Sequence, residues 1–186
     1  MFTLRIRNFM YSNTSSCTSM QHCNGQGLRL LLWDSVGESG SKGKILGEFQ
    51  HSLDAKGRLA LPAKYRGVFS ERAVVTRGFE KCLVLYPGAE WDAWADKVGS
   101  LPTGQSETRQ LMRLVFSGAL ECELDRLNRI NIPAYLRQYA GLQSDTTLVG
   151  MGNRLEIWDR DQWTALRTAV EADGERIAAG LARFGL

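Results

Sequence analysis

An α+β fold made of two copies of one unit is what this sequence predicts, and three observations predict it. The segment Leu53-Asp54-Ala55-Lys56-Gly57-Arg58-Leu59-Ala60-Leu61-Pro62-Ala63-Lys64-Tyr65-Arg66 returns seventy-one positions later as Leu124-Asp125-Arg126-Leu127-Asn128-Arg129-Ile130-Asn131-Ile132-Pro133-Ala134-Tyr135-Leu136-Arg137. A strand-like alternation leads into each copy, and a tryptophan-bearing helical segment closes each. Self-similarity at a fixed spacing marks duplication, in which one unit stacks on its twin to complete a core.

The elements follow in order. Phe49, His51 and Leu53 alternate with Glu48, Gln50 and Ser52, as in a half-buried strand, and Leu120, Cys122 and Leu124 alternate with Ala119, Glu121 and Glu123 in the same register. Each strand enters a short polar loop and a second alternating stretch, Leu59 to Leu61 or Ile130 to Ile132, which makes a β-hairpin with a charged tip. Pro62 and Pro133 suit the first turn of a helix, where no amide hydrogen is needed, so 63–69 and 134–139 are expected to be helical turns. Short strands (73–76 and 146–149), glycine-bearing turns (Gly78 and Gly152) and further strands (83–86 and 155–158) come next. The pairs Leu83/Leu155, Leu85/Ile157 and Trp91/Trp163 continue the duplication with a shift of one residue.

Helices close both units. The first spans about 89–98 with Trp91 and Trp94 on one face, and the second begins behind Asp159, a good N-cap, and runs to about Ala172. Between the units, Leu101-Pro102-Thr103-Gly104 breaks the chain and 105–116 resumes as a helix with Leu111, Leu114 and Val115 together. The domain reading is therefore 1–44 as an extension, 45–100 as the first unit, 101–115 as a linker helix, 116–172 as the second unit and 173–186 as a terminal helix carrying Ile177, Leu181 and Phe184. Each unit has only about 70 residues, marginal for an independent core, so the two are expected to share one.

Residues 1–44 differ from the rest, being rich in Ser, Thr, Asn and Gly. An upstream-extended gene start is the expected explanation, with a disordered regulatory tail as the alternative. Arg5, Arg7 and the Ser/Thr tract interrupt any secretory signal, and nothing approaches the length of apolar chain that spans a membrane. A cytoplasmic location is expected.

The chain has 186 residues, 44% hydrophobic and 23% charged, with a formal charge of +3. That charge is too mild to imply nucleic acid unless the basic residues gather on one surface. Four cysteines lack C-x-x-C spacing and only two histidines occur, which argues against zinc and against a disulfide framework. Cys82 reads as a small buried hydrophobe. No Ser/His/Asp grouping and no glycine-rich phosphate loop is present, and neither His22 nor His51 has a histidine twin, so no enzyme, cofactor or small-molecule substrate is expected.

The tips carry the functional signal. In Asp54-x-x-x-Arg58 and Asp125-x-x-x-Arg129 the carboxylate can accept loop amides or pair with the arginine, while Gly57 and Asn128 supply a left-handed backbone position. One such loop is an ordinary solvated turn; two alike ask for more. Each tip is expected to project an arginine, with Lys56 or Arg126 beside it, into a nucleic-acid groove, where the guanidinium fork fits guanine O6 and N7. Lys64, Arg66 and Arg137 behind the prolines could hold phosphates. The first tip is the more basic and is expected to dominate.

With these motifs, and with Phe116-x-Gly118-Ala119, residues 45–172 closely resemble the MraZ family of bacterial transcriptional regulators. The resemblance implies two fused AbrB-like swapped-hairpin units in a pseudo-twofold β-barrel with flanking helices. It further implies a homo-oligomeric ring, binding to direct repeats in double-stranded promoter DNA, and regulation of the division and cell-wall gene cluster together with the protein's own operon. Carried over by position, it implies DNA contact by Lys56, Arg58 and Arg129, with Asp54 and Asp125 ordering the tips. Asn128 departs from the glycine common in the second motif. Repression from the nucleoid is the expected output. A self-assembling scaffold whose loops bind an acidic partner is the alternative, and a hydrolase a distant third.

Overall fold

Residues 44–184 are described by the structure, a computed structural model, and the expectations for residues 1–43 lie outside them. In chain order the elements are β1 (Ile45–Ser52), β2 (Arg58–Ala60), a 3-10 turn (Ala63–Tyr65), α1 (Arg66–Phe69), β3 (Ala73–Arg77), β4 (Leu83–Pro87), α2 (Gly88–Gly99) and α3 (Ser106–Phe116). The second unit continues with β5 (Leu120–Cys122), β6 (Arg129–Asn131), α4 (Ala134–Tyr139), β7 (Asp145–Gly152), β8 (Leu155–Asp159), α5 (Arg160–Ala172), α6 (Gly174–Leu181) and a 3-10 turn (Ala182–Phe184).

Four ladders cross between the units, while β3–β4 and β7–β8 pair within them. The main sheet is antiparallel with order β1-β7-β8-β4-β3-β5, and β2 pairs with β6 in a separate two-stranded ribbon. First-unit β1 pairs with second-unit β7 over its whole length, while second-unit β5 pairs with first-unit β3. Leu59 sits opposite Ile130 in the ribbon and Val84 opposite Glu156 in the sheet. Each of these is a residue facing its own twin, so an internal twofold passes through both pairs.

These ladders correct the expected barrel. Among the described residues β1 and β5 are free edges of the sheet, and the ribbon joins β1 only through the isolated Leu53–Leu59 bridge. The hairpin expectation changes with it: β2 is too short to run back along β1 and takes its ladder from β6 instead.

Two cores explain why the middle strands are buried on both sides. Leu59 and Ile130 from the ribbon, and Leu61 and Ile132 just past its strands, pack with Phe69 and Leu136 against Val75, Leu85, Leu148 and Ile157 on one face of the sheet. On the other face Trp91, Val115 and Trp158, with the partly buried Trp94, Trp163 and Leu166, cover Val74, Val84 and Val149. The first core takes residues from both units, as marginal unit size requires.

Local chemistry sets the ends of several elements. Asp159 caps α5 by accepting from the Asp161 and Gln162 amides, as expected of an N-cap aspartate. The helical turns occupy 63–69 and 134–139 as expected, and Pro62 and Pro133 stand just before them as N-caps, with φ of −54° and −60° but extended ψ. The ring fixes φ alone, leaving ψ to the strand. Gly78 stands in its turn as expected, while the left-handed residues there are Glu80 and Lys81. A Cβ at Gly78 would lie 2.6 Å from Cys82 Sγ, so closeness rather than φ selects glycine. Leu120 faces the ribbon side opposite Val75, but on an edge strand beyond the ribbon's cover, and is exposed where inward packing is expected.

Burial pushes the Cys82 thiol up to about 12, which agrees with its reading as an inert hydrophobe. Along α6 and the last turn, Ile177, Leu181 and Phe184 remain exposed. No helix among the described residues is long and apolar enough to cross a membrane.

At Gly150 a Cβ would meet the Ile45 carbonyl oxygen at 2.6 Å and Leu46 Cα at 2.7 Å. Both are backbone atoms of the paired strand, so neither can swing away. Gly150→Ala is expected to lower stability by about 1–3 kcal/mol or more, read from the denaturant midpoint; an unchanged midpoint contradicts the tight β1–β7 approach.

Candidate nucleic-acid interface

Each tip loop is built around its aspartate. Asp54 Oδ1 accepts the amides of Lys56 and Arg58, both at 2.9 Å, and Asp125 Oδ1 accepts those of Leu127 and Arg129 at the same distance. The turn closes where the Gly57 amide donates to Asp54 O and the Asn128 amide to Asp125 O. Gly57 (φ 77°) and Asn128 (φ 60°) are left-handed as expected, conformations that glycine and asparagine reach at least cost.

Backbone bonds then tie each loop to the other unit. Ile132 N donates to Gly57 O and Leu61 N to Asn128 O, each at 2.9 Å. The Asn128 amide adds a bond of 2.8 Å to Leu61 O, one that glycine could not supply. Arg129 Nη1 lies 3.6 Å from Asp54 Oδ2, so the charged networks of the two loops meet.

The twinned arginines are used unequally. Arg58 bonds Asp54 Oδ2 through Nε at 2.6 Å and is one-third exposed, and among the described residues its two terminal nitrogens have no partner. Arg129, 23% exposed, gives Nε (2.8 Å) and Nη2 (2.7 Å) to Asp125 Oδ2 and turns Nη1 toward Asp54. One guanidinium keeps its fork open; the other gives two of its three nitrogens to Asp125 and points the third at Asp54.

The remaining expected residues divide. Lys56 and Arg126 are exposed at the two tips with no side-chain partner among the described residues. Arg66 crosses to the second loop and donates to Arg126 O at 2.8 Å. Its twin Arg137 lies across Gly57 of the first loop, where a Cβ would come within 2.5 Å of Arg137 Nη1. A cleft of about 640 Å³ opens there between Asp54, Ala55, Arg137 and Gln138. Lys64 is not brought to the tips. It lies over the Phe49 and Tyr65 rings and donates to Leu46 O, toward the end of β1 remote from the loop.

One tip residue escapes the sequence reading. Leu127 occupies the place of Lys56 and is 69% exposed. Strict seventy-one-residue register pairs Lys56 with Leu127 and Ala55 with Arg126, and that mismatch is the signal that would have found it.

Both loop carboxyls are held below the usual aspartate range. For Asp54 the foremost cause is the Arg58 amide, followed by its guanidinium; for Asp125 it is the Arg129 guanidinium, then its amide. A depressed folded pKa contributes stability above the unfolded value of about 4 and loses it as pH falls through the folded value. The loops are therefore expected to stay ordered from neutrality to about pH 5 and to loosen only below about pH 4. Amide exchange at Lys56 and Leu127 reads this directly, and loosening already between pH 5 and 6 contradicts it.

Comparison with known proteins gives the chain a family. Residues 45–114 and 115–181 each match the family model for MraZ protein, described as antitoxin-like. "Transcriptional regulator MraZ" of Natranaerobius thermophilus is 42% identical over 142 residues, which cover 76% of this chain and 99% of the relative. MraZ is a family of transcriptional regulators and not of enzymes, which removes the hydrolase alternative. With two tandem matches and such identity along nearly the whole of a relative, this chain belongs to the MraZ family.

Proposed function

We propose that this protein is a DNA-binding transcriptional regulator that grips direct repeats in promoter DNA through its paired tips, assembled as a ring. It represses its own operon and the division and cell-wall gene cluster, acting in the cytoplasm on the nucleoid. The observation that carries this reading is the open fork of Arg58. Bound to Asp54 through Nε, its guanidinium has two terminal nitrogens left for guanine O6 and N7, the commonest specific contact in the major groove.

The other residues take supporting roles in the same reading. Lys56 and Arg126 reach the duplex beside Arg58, and Arg137, at the cleft beside the first tip, holds a phosphate. Arg129 contributes charge but acts mainly as the brace between the loops, since two of its nitrogens are bound to Asp125 and the third faces Asp54. The exchange of strands between units supports the swapped-hairpin description.

A ring converts weak single contacts into strong joint ones. After one subunit binds, the next tip meets the following major groove, about 10 base pairs on, at high effective concentration. Head-to-tail subunits select direct repeats rather than palindromes. The exposed Ile177, Leu181 and Phe184 would favour self-assembly in this reading and equally in the scaffold alternative. Salt separates the two. Sequence preference with a steep salt dependence supports a regulator, whereas equal binding to any polyanion supports a scaffold.

Arg58→Ala is expected to lose about 1–3 kcal/mol of binding per engaged subunit, which across several subunits abolishes footprinting on the protein's own upstream DNA. Arg58→Lys is expected not to restore it, because an ammonium lacks the planar fork. Full protection by a folded, still oligomeric Arg58→Ala protein would defeat the assignment.

A further inference from the structure

We propose that Leu127, at the apex of the second tip, reads the 5-methyl group of a thymine in the major groove and so sets the sequence preference of the DNA site. The inference rests on the DNA-binding reading above and adds a residue that the family motifs do not contain.

The duplication provides an internal control. Residues that the loop needs are twinned: Asp54 with Asp125, Arg58 with Arg129, and the left-handed Gly57 with Asn128. At the apex the twin of Leu127 is Lys56. A lysine builds the same turn, with its amide on the same carboxylate oxygen at the same distance, so leucine is no requirement of the fold.

Its setting also argues against a packing role. Leu127 is 69% exposed, although the loop beneath it is pinned by the Asp125 carboxylate and by the bond from Leu61 N to Asn128 O. A rigid loop therefore holds an isobutyl group in water. Protein and membrane partners seek a contiguous apolar patch, whereas the neighbours of Leu127 in the loop are Asp125, Arg126, Asn128 and Arg129.

An apolar group beside an exposed arginine suits one kind of surface. In the major groove, thymine alone presents a methyl group among hydrogen-bonding edges, and apolar side chains contact it there. Arg126, exposed beside Leu127, meets the phosphates on either side. The Arg129–Asp54 contact of 3.6 Å joins this tip to the one bearing Lys56 and Arg58. The pair of tips then makes a polar contact to guanine and an apolar contact to thymine within one recognition unit.

The test removes the methyl group and nothing else. The protein's own upstream duplex is footprinted, and each thymine in one protected repeat is replaced in turn by deoxyuridine, which keeps base pairing and the O4 acceptor. Wild-type protein is expected to lose about fourfold in affinity at the contacted thymine, equivalent to ~0.8 kcal/mol for one methyl-sized group. Leu127→Ala, which alters every subunit, is expected to bind the thymine duplex more weakly still, by about fourfold for each engaged subunit, and to show no difference between the thymine and uracil duplexes. Its melting temperature and oligomer size should match wild type, since so exposed a side chain adds little to the core.

Equal wild-type affinity for thymine and uracil duplexes at every protected position overturns the inference, as does a full thymine preference retained by Leu127→Ala. If protection depends on Arg58 but no methyl effect is found, only the role of Leu127 falls. If wild-type protein protects none of its upstream DNA, the DNA-binding reading falls and takes this one with it.

Discussion

Gly57 O accepts from Ile132 N while Asn128 O accepts from Leu61 N, and this reciprocal exchange ties each unit's loop to the other unit's strand. Leu59 and Ile130 face each other at the centre of the β2–β6 ribbon, wholly buried between the two loops. Neither loop could hold its place alone, because a three-residue strand is too short to form a stable hairpin by itself. Joined across the twofold, the loops share one core and one charged network. Geometry at the tips is therefore a property of the pair.

Duplication made the framework symmetric, and a few replacements then made its surface unequal. Glycine at 57 lets Arg137 lie across the first loop, while asparagine at 128 fills that space in the second and caps Leu61 O. The twin of Arg137, Arg66, is directed instead to Arg126 O. Arg58 keeps its terminal nitrogens open and Arg129 does not. A symmetric fold thus carries an asymmetric charged surface at its two tips.

Much of this was legible in the sequence for a physical reason. Alternation marks strands whose two faces differ, so β1 and the ribbon were readable, and Asp159 announced α5 because an N-cap needs a side-chain acceptor. Left-handed Gly57 and Asn128 were legible from their chemistry. What stayed hidden was non-local. No local pattern states that β1 pairs with β7 or that β2 pairs with β6, and hence that the ladders form an open sheet and a ribbon instead of a closed barrel. Lys64 looked equivalent to Arg66 in the sequence, yet the rings of Phe49 and Tyr65 hold it away from the tips. Arg58 and Arg129 also looked equivalent, and what separates them is the second bond of Arg129 to Asp125 together with its approach to Asp54.

The central claim is that the two tips form one head in which Arg58 meets the base and Arg129 holds the loops together. A structure of the oligomer on its own upstream DNA tests this most directly. The account predicts Arg58 Nη1 and Nη2 on guanine O6 and N7, with Arg129 still bound to Asp125 and turned to Asp54. Arg129 released onto a base while Arg58 faces solvent, or the tips turned away from the groove, would contradict it.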